Sequence, residues 1–230
     1  MGLGLYFAQG NKKAPEAAKT IGKEACLYFS PHTEPRLNYL AHIYLSGTDE
    51  ELLLGNFIAD AVKGRQAEQY SPGIARGIRL HRLIDTYTDT HPVVGLTKAR
   101  LRPKYKKFAP VIADMYYDHF LARNFELYAP EPLPDFVQRS YTLIQRNYHV
   151  LPPRMQDIFP YMQRQNWLES YAEVAGVAQA LTGMSRRTSF VSGMETAAEE
   201  LVAQYALYHA DFEVFFPELE QYVAKAIAQL

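Results

Sequence analysis

The stretch from Gly73 to Pro92, G-I-A-R-G-I-R-L-H-R-L-I-D-T-Y-T-D-T-H-P, constrains this chain more than any other part of it. Ile74, Ile78, His81 and Asp85 recur at spacings of four, three and four, which is one face of an α-helix. Arg76, Arg79 and Arg82, with Thr86 and Thr90, fall on the other side. Ser71 is placed to cap this helix, Pro72 to open it and Pro92 to close it. A histidine and a carboxylate therefore sit on an apolar stripe, where burying an unpaired charge costs on the order of several kcal/mol. The i, i+4 spacing lets both side chains converge on one point, so they need each other, a cation or a metal there.

The flanking chain reads as helix throughout. Leu37, Leu40, Ala41, Tyr44 and Leu45 form an apolar face with His42 beside it and Gly47 at its end. Asp49 is an N-cap for a short helix with Leu52 to Leu54 in its body, and the apolar segment Gly55 to Gly64 carries Asp60. Beyond a basic run, Pro110 opens a helix on which Val111, Asp114, Asp118, Leu121, Ala122 and Phe125 make a stripe, with His119 at its edge. Helical segments follow over 136–150, 155–168, 171–184 and 188–208, with a last one from Pro217. No alternating strand run with turn signals occurs, nor a repeat or a glycine-rich phosphate loop. The fold class is all-α, a single helical domain over 37–230. Residues 1–36, with little apolar periodicity and a Pro-punctuated junction, read as a poorly ordered extension outside that domain.

Bulk properties exclude several classes. A net charge of −1 argues against a dedicated nucleic-acid binder, and no apolar run approaches a membrane span. The single cysteine, Cys26, allows no internal disulfide and no thiolate metal site, which fits a reducing cytoplasm.

The remaining chemistry lies in polar groups on apolar faces: His42, Asp60, His81 with Asp85, and Asp114 with Asp118 and His119. Together they form a hard nitrogen and oxygen donor set suited to Mn²⁺, Mg²⁺ or Fe. Such a metal polarises a phosphoryl oxygen and lowers the pKa of water, with a spare Asp or His as general base or acid. Each part has a plainer reading. His42 alone reads as a core-edge histidine, Asp60 as a cap or an arginine partner, and His81 with Asp85 as a structural ion pair. Asp114 and Asp118 are harder to dismiss, because two like charges on one stripe repel unless a cation intervenes. Lys98, Arg100, Arg102, Lys104, Lys106 and Lys107 fall within ten residues and form either a solvated face or a docking surface for an acidic partner. Arg186 and Arg187 read as a surface pair or a phosphate clamp.

Five segments in order, N-Y-L-A-H-I-Y-L (38–45), L-L-G-N-F-I-A-D-A-V-K-G (53–64), G-I-R-L-H-R-L-I-D-T-Y-T-D (77–89), D-M-Y-Y-D-H-F-L-A (114–122) and M-S-R-R (184–187), resemble the acyl carrier protein phosphodiesterases. The resemblance implies a divergent HD-type phosphohydrolase of helical fold that uses Mn²⁺. Its reaction would be hydrolysis of the phosphodiester joining 4′-phosphopantetheine to a serine of holo-acyl carrier protein. Carried over motif by motif, Asp60, His81, Asp85, Asp118 and His119 are the implied active-site residues. Asp118-His119 reverses the order of the doublet that names the wider superfamily. Arg82 and Arg186 are candidates to stabilise phosphoryl charge. The basic residues Arg100, Arg102, Lys104, Lys106 and Lys107, with Arg186 and Arg187, would bind the acidic carrier protein. Two other readings stay open: an HD-type hydrolase of a nucleotide or other small phosphodiester, and a non-catalytic helical module whose His and Asp residues pair internally.

Overall fold

In the computed structural model, which describes residues 38–230, the chain is helical with no strand among the described residues. The α-helices run in the order α1 (Tyr39–Tyr44), α2 (Glu50–Ile58), α3 (Pro72–Thr90), α4 (Pro92–Tyr105), α5 (Ala109–Arg123), α6 (Leu133–Arg146), α7 (Pro153–Arg164), α8 (Trp167–Ser170), α9 (Val174–Ser185), α10 (Ala197–Ala203) and α11 (Tyr205–Ile227).

 Two helix starts have a side-chain cap. Asp49 Oδ1 accepts from the Leu52 amide at 3.0 Å and opens α2, and Ser71 Oγ accepts from the Ile74 amide at 3.4 Å ahead of Pro72 and opens α3. Both caps are the ones expected from the sequence.

α5 is the axis of the molecule. Every residue from Val111 to Ala122 is buried, and α1, α4, α9 and α11 pack around it. A helix covered on all sides has no polar face to offer, so its aspartates and histidine are interior groups and do not mark one exposed stripe. The buried apolar residues form one core, running from Tyr39 to Ala226. No described helix is long and apolar enough to cross a membrane.

α2 and α3 cross in backbone contact. A Cβ on Gly55 would lie 2.0 Å from the Ile74 carbonyl oxygen and 2.8 Å from Gly77 Cα, and one on Gly77 would lie 2.3 Å from the Leu52 carbonyl oxygen. Only glycine permits that approach. Its consequence is local: Asn56, next to Gly55, is brought against His81, one turn beyond Gly77.

The C-terminal third differs from the expectation. The segment 188–208 is not one helix. A non-helical bulge over 186–193 ends at Gly193 with φ of 72°, then come a 3₁₀ turn (Met194–Thr196) and α10. The last helix begins at Tyr205, not at Pro217, which sits inside α11. Proline removes one helical hydrogen bond, but Tyr208, Phe212, Phe215, Phe216, Leu219 and Val223 bury a continuous stripe that holds the helix together across it. Residues 1–36, expected to be an extension, lie outside the described residues.

Candidate metal centre

Three helical elements deliver the site. His42 comes from the last turn of α1, His81 and Asp85 from the middle of α3, and Asp60 from the 3₁₀ turn (Ala59–Ala61) that follows α2. The two imidazoles stack, with centroids 3.9 Å apart and planes 17° from parallel. Asp85 faces both: Oδ1 is 3.4 Å from His42 Nε2 and Oδ2 is 3.5 Å from His81 Nε2. Asp60 Oδ1 is 3.4 Å from His81 Nε2 on the other side. One donor atom each from His42, His81 and Asp85 lies within 4.8 Å of the others, which is close enough to share an ion.

Asn56 decides which face of each ring points inward. It is wholly buried, and its Oδ1 accepts from His42 Nδ1 at 2.8 Å and from His81 Nδ1 at 3.1 Å. Its own backbone carbonyl also accepts from His81 Nδ1 at 2.9 Å. The Asn56 amide nitrogen donates to the His42 carbonyl at 2.8 Å and to Ser46 Oγ at 3.0 Å, which fixes the carboxamide orientation. A carbonyl oxygen can only accept, so both Nδ1 atoms carry the proton when the rings are neutral and both Nε2 atoms present lone pairs. Those two Nε2 atoms are sealed from solvent and have no hydrogen-bond partner. Two lone pairs turned toward carboxylates repel unless a proton or cation stands between them. The donor set therefore fits a hard divalent metal.

The electrostatics separate the two rings. Burial holds His42 below the ordinary histidine range, and the neighbouring His81 pushes the same way against the pull of Asp85. Burial lowers His81 too, but the close approach and charge of Asp60 and the charge of Asp85 outweigh it, so His81 is raised.

The other predicted residues go elsewhere. Asp118 is fully buried and accepts from the backbone amides of Leu40 at 3.0 Å and Ala41 at 2.9 Å, so it caps α1 from α5. Burial pushes its carboxyl well above the usual range, with the two amides pulling back. His119 Nδ1 donates to the Tyr171 carbonyl at 2.7 Å, and its Nε2 accepts from the Tyr205 hydroxyl at 3.1 Å. Neither belongs to the group of His42, His81 and Asp85, so the structure does not bring the Asp118-His119 doublet, expected to supply ligands, together with it. The physical reason is that α5 is buried on all faces and its polar groups serve its neighbours. Arg82 Nη2 donates to the Val62 carbonyl at 3.3 Å, tying α3 to the segment just after Asp60.

Among the basic residues, Arg100 is committed to Asp211, which also accepts from Thr97 Oγ1 at 2.6 Å. Lys98 is buried against Asp89 at 2.9 Å. Arg102, Lys104, Lys106, Lys107 and Arg186 are exposed, with Lys104 4.0 Å from Glu200. Arg187 is half-buried and within electrostatic reach of Tyr39, as are Asp60 and Arg154. Burial holds that phenol far above its usual range. Asn56 and Arg154 were not singled out from the sequence. Asn56 left a trace, being the one polar side chain between Leu52 and Ala59, whereas Arg154 left none.

These features define an all-helical protein with a buried two-histidine, one-carboxylate cluster. The chain belongs to the acyl carrier protein phosphodiesterase family, whose family model matches residues 37–219. It is similar to the acyl carrier protein phosphodiesterase of Photorhabdus laumondii, 36% identical over 182 residues, covering 79% of this chain and 92% of the relative. The protein of the same name from Serratia proteamaculans is 34% identical over 186 residues, covering 80% and 96%. That from Yersinia enterocolitica is 34% identical over 184 residues, covering 80% and 95%. No solved structure matches the chain.

Proposed function

We propose that this chain hydrolyses the phosphodiester between 4′-phosphopantetheine and a serine of holo-acyl carrier protein, giving apo-acyl carrier protein and free 4′-phosphopantetheine. The catalytic unit is the helical domain over 37–230, working in the cytoplasm with Mn²⁺ as its metal, with Mg²⁺ and Fe suited to the same donors. The observation that carries this reading is the pair of sealed Nε2 lone pairs on His42 and His81, both facing Asp85. His42, His81 and Asp85 hold the metal. A divalent cation bound there polarises a phosphoryl oxygen and lowers the pKa of water.

The chain's own groups supply the rest. Asp60, part exposed beside His81 Nε2, takes the proton released as water adds to phosphorus. Arg82 positions Asp60 through its bond to Val62. Arg154 and Arg187, within electrostatic reach of Tyr39 as Asp60 is, stabilise charge on the phosphoryl oxygens as the serine oxygen leaves and takes a proton. Arg102, Lys104, Lys106, Lys107 and Arg186 steer an acidic carrier protein toward the site.

The test is mass spectrometry of holo-acyl carrier protein incubated with the enzyme, with Mn²⁺ and with chelator. Metal-dependent loss of the phosphopantetheine mass is the expected result. An unchanged holo mass, with metal bound and the protein folded, would refute the substrate and bring forward a small phosphodiester.

A further inference from the structure

Phe190 and Val191, adjacent in the bulge over 186–193, are 68% and 98% exposed. Isolated apolar groups on a surface are ordinary, but these two project from a segment that is fastened at its base. Thr188 Oγ1 lies 2.6 Å from the Phe190 carbonyl and 3.0 Å from the Ser185 carbonyl, and its single proton is shared between them. Ser192, itself buried, donates to Ser185 Oγ at 2.8 Å and accepts from the Met194 amide at 3.3 Å. Met194 is buried, and Gly193 at φ of 72° lets the chain lie against the Tyr105 ring. The tip is thus held out by hydrogen bonds, and its ordering entropy is already spent before any partner arrives.

Its surroundings are cationic. Lys107 Nζ lies 4.7 Å from the Phe190 ring centroid, Lys106 is exposed beside it in sequence, and Arg186 is exposed at the start of the bulge. Acids lie on the neighbouring segment too: Glu195 accepts from Ser185, Glu200 faces Lys104, and Glu199 acts on Lys104 as well. An apolar tip framed by cations is complementary to an acidic surface with an apolar depression. Arg187, on the same bulge, lies within electrostatic reach of Tyr39, as Asp60 does.

We infer that the bulge is the docking anchor for the carrier protein, with Phe190 and Val191 entering an apolar depression on it and Lys106, Lys107 and Arg186 meeting its acidic rim. This rests on the carrier-protein reading of the metal centre.

The test compares wild type with Phe190→Ser/Val191→Ser and with Lys106→Glu/Lys107→Glu. Binding of apo-acyl carrier protein is measured by calorimetry at low and high salt. Turnover of the holo protein is measured against hydrolysis of bis(p-nitrophenyl) phosphate in Mn²⁺. In the apolar variant, the dissociation constant should rise about tenfold or more, and the ratio of carrier turnover to small-diester turnover should fall by a similar factor. The charge-reversed variant should bind at least about tenfold more weakly at low salt, with a flattened salt dependence. Unchanged binding in both variants, while the wild type binds and hydrolyses the carrier, would overturn the anchor and leave the activity standing. A wild type that neither binds nor hydrolyses the carrier would remove both. A dimer that the apolar substitutions dissolve, with carrier binding intact, would assign the tip to a second copy of the chain and overturn the inference.

Discussion

Asn56→Leu isolates the orientation of the two histidines from their presence. Leucine is close in volume, so the α2–α3 contact is retained while the carboxamide is lost. The substitution removes the 2.8 Å bond from His42 Nδ1 and the 3.1 Å bond from His81 Nδ1. His81 keeps the Asn56 backbone carbonyl at 2.9 Å, and the His42 carbonyl keeps the Ser46 hydroxyl at 2.8 Å. The group left wholly without a partner is the buried His42 Nδ1–H, which costs about 1–3 kcal/mol. His42 is then free to turn its ring or change tautomer, and metal affinity should fall about 10- to 100-fold, the range typical for losing an outer partner of a histidine ligand. That span corresponds to about 1.4–2.8 kcal/mol, the same size as the orphaned donor. Asn56→Asp keeps an acceptor for both rings and should bind metal within about tenfold of wild type. The assay is Mn²⁺ titration followed by electron paramagnetic resonance, with kcat measured at saturating metal. An Asn56→Leu protein that binds Mn²⁺ as tightly as wild type would refute the reasoning.

Two further outcomes follow from the same geometry. Asp118→Asn keeps an oxygen for only one of the Leu40 and Ala41 amides, and Asp118→Ala leaves both buried donors unmet, so thermal stability read by calorimetry should fall by about 1–3 kcal/mol per orphaned donor while the folded Asp118→Asn protein retains most activity. Complete loss of activity in a stable Asp118→Asn protein would return Asp118 to the reaction itself. Metal affinity should rise with pH through the neutral range, because the metal displaces a proton from His81, whose pKa lies above the ordinary value of about 6.5. Proton release on Mn²⁺ binding, measured by calorimetry in buffers of different ionisation enthalpy, checks this. Binding that is flat between about pH 6 and 8 would contradict it.

The legible parts of this chain are those in which cause and consequence lie within one helix. Asp49 and Ser71 announced their caps, and His81 with Asp85 announced a convergent pair, because i, i+4 geometry is written directly in the spacing. His42 was visible as a candidate ligand, but its stacking on His81 was not, since that depends on how α1 meets α3. Asp118 and His119 stand outside the three-residue group for the converse reason. Their positions on an apolar stripe are plain, but Asp118 answers amides 78 and 77 residues away, and no local pattern records that. Periodicity also could not show that α5 is covered all round. Residues 188–208 looked like one helix because their apolar spacing permits it, although Gly193 takes a positive φ and Phe190 and Val191 face solvent. Pro217 looked like a helix start because proline favours first turns, and the long buried stripe of α11 overrode that preference.

The central claim is that His42, His81 and Asp85 hold the working metal. Anomalous diffraction from Mn²⁺-soaked crystals tests it most directly. The account predicts a peak within coordination distance of His42 Nε2, His81 Nε2 and an Asp85 oxygen, absent in crystals of a folded His81→Ala protein. A strong peak beside Asp118 and His119, with no density at the stacked histidines, would contradict it.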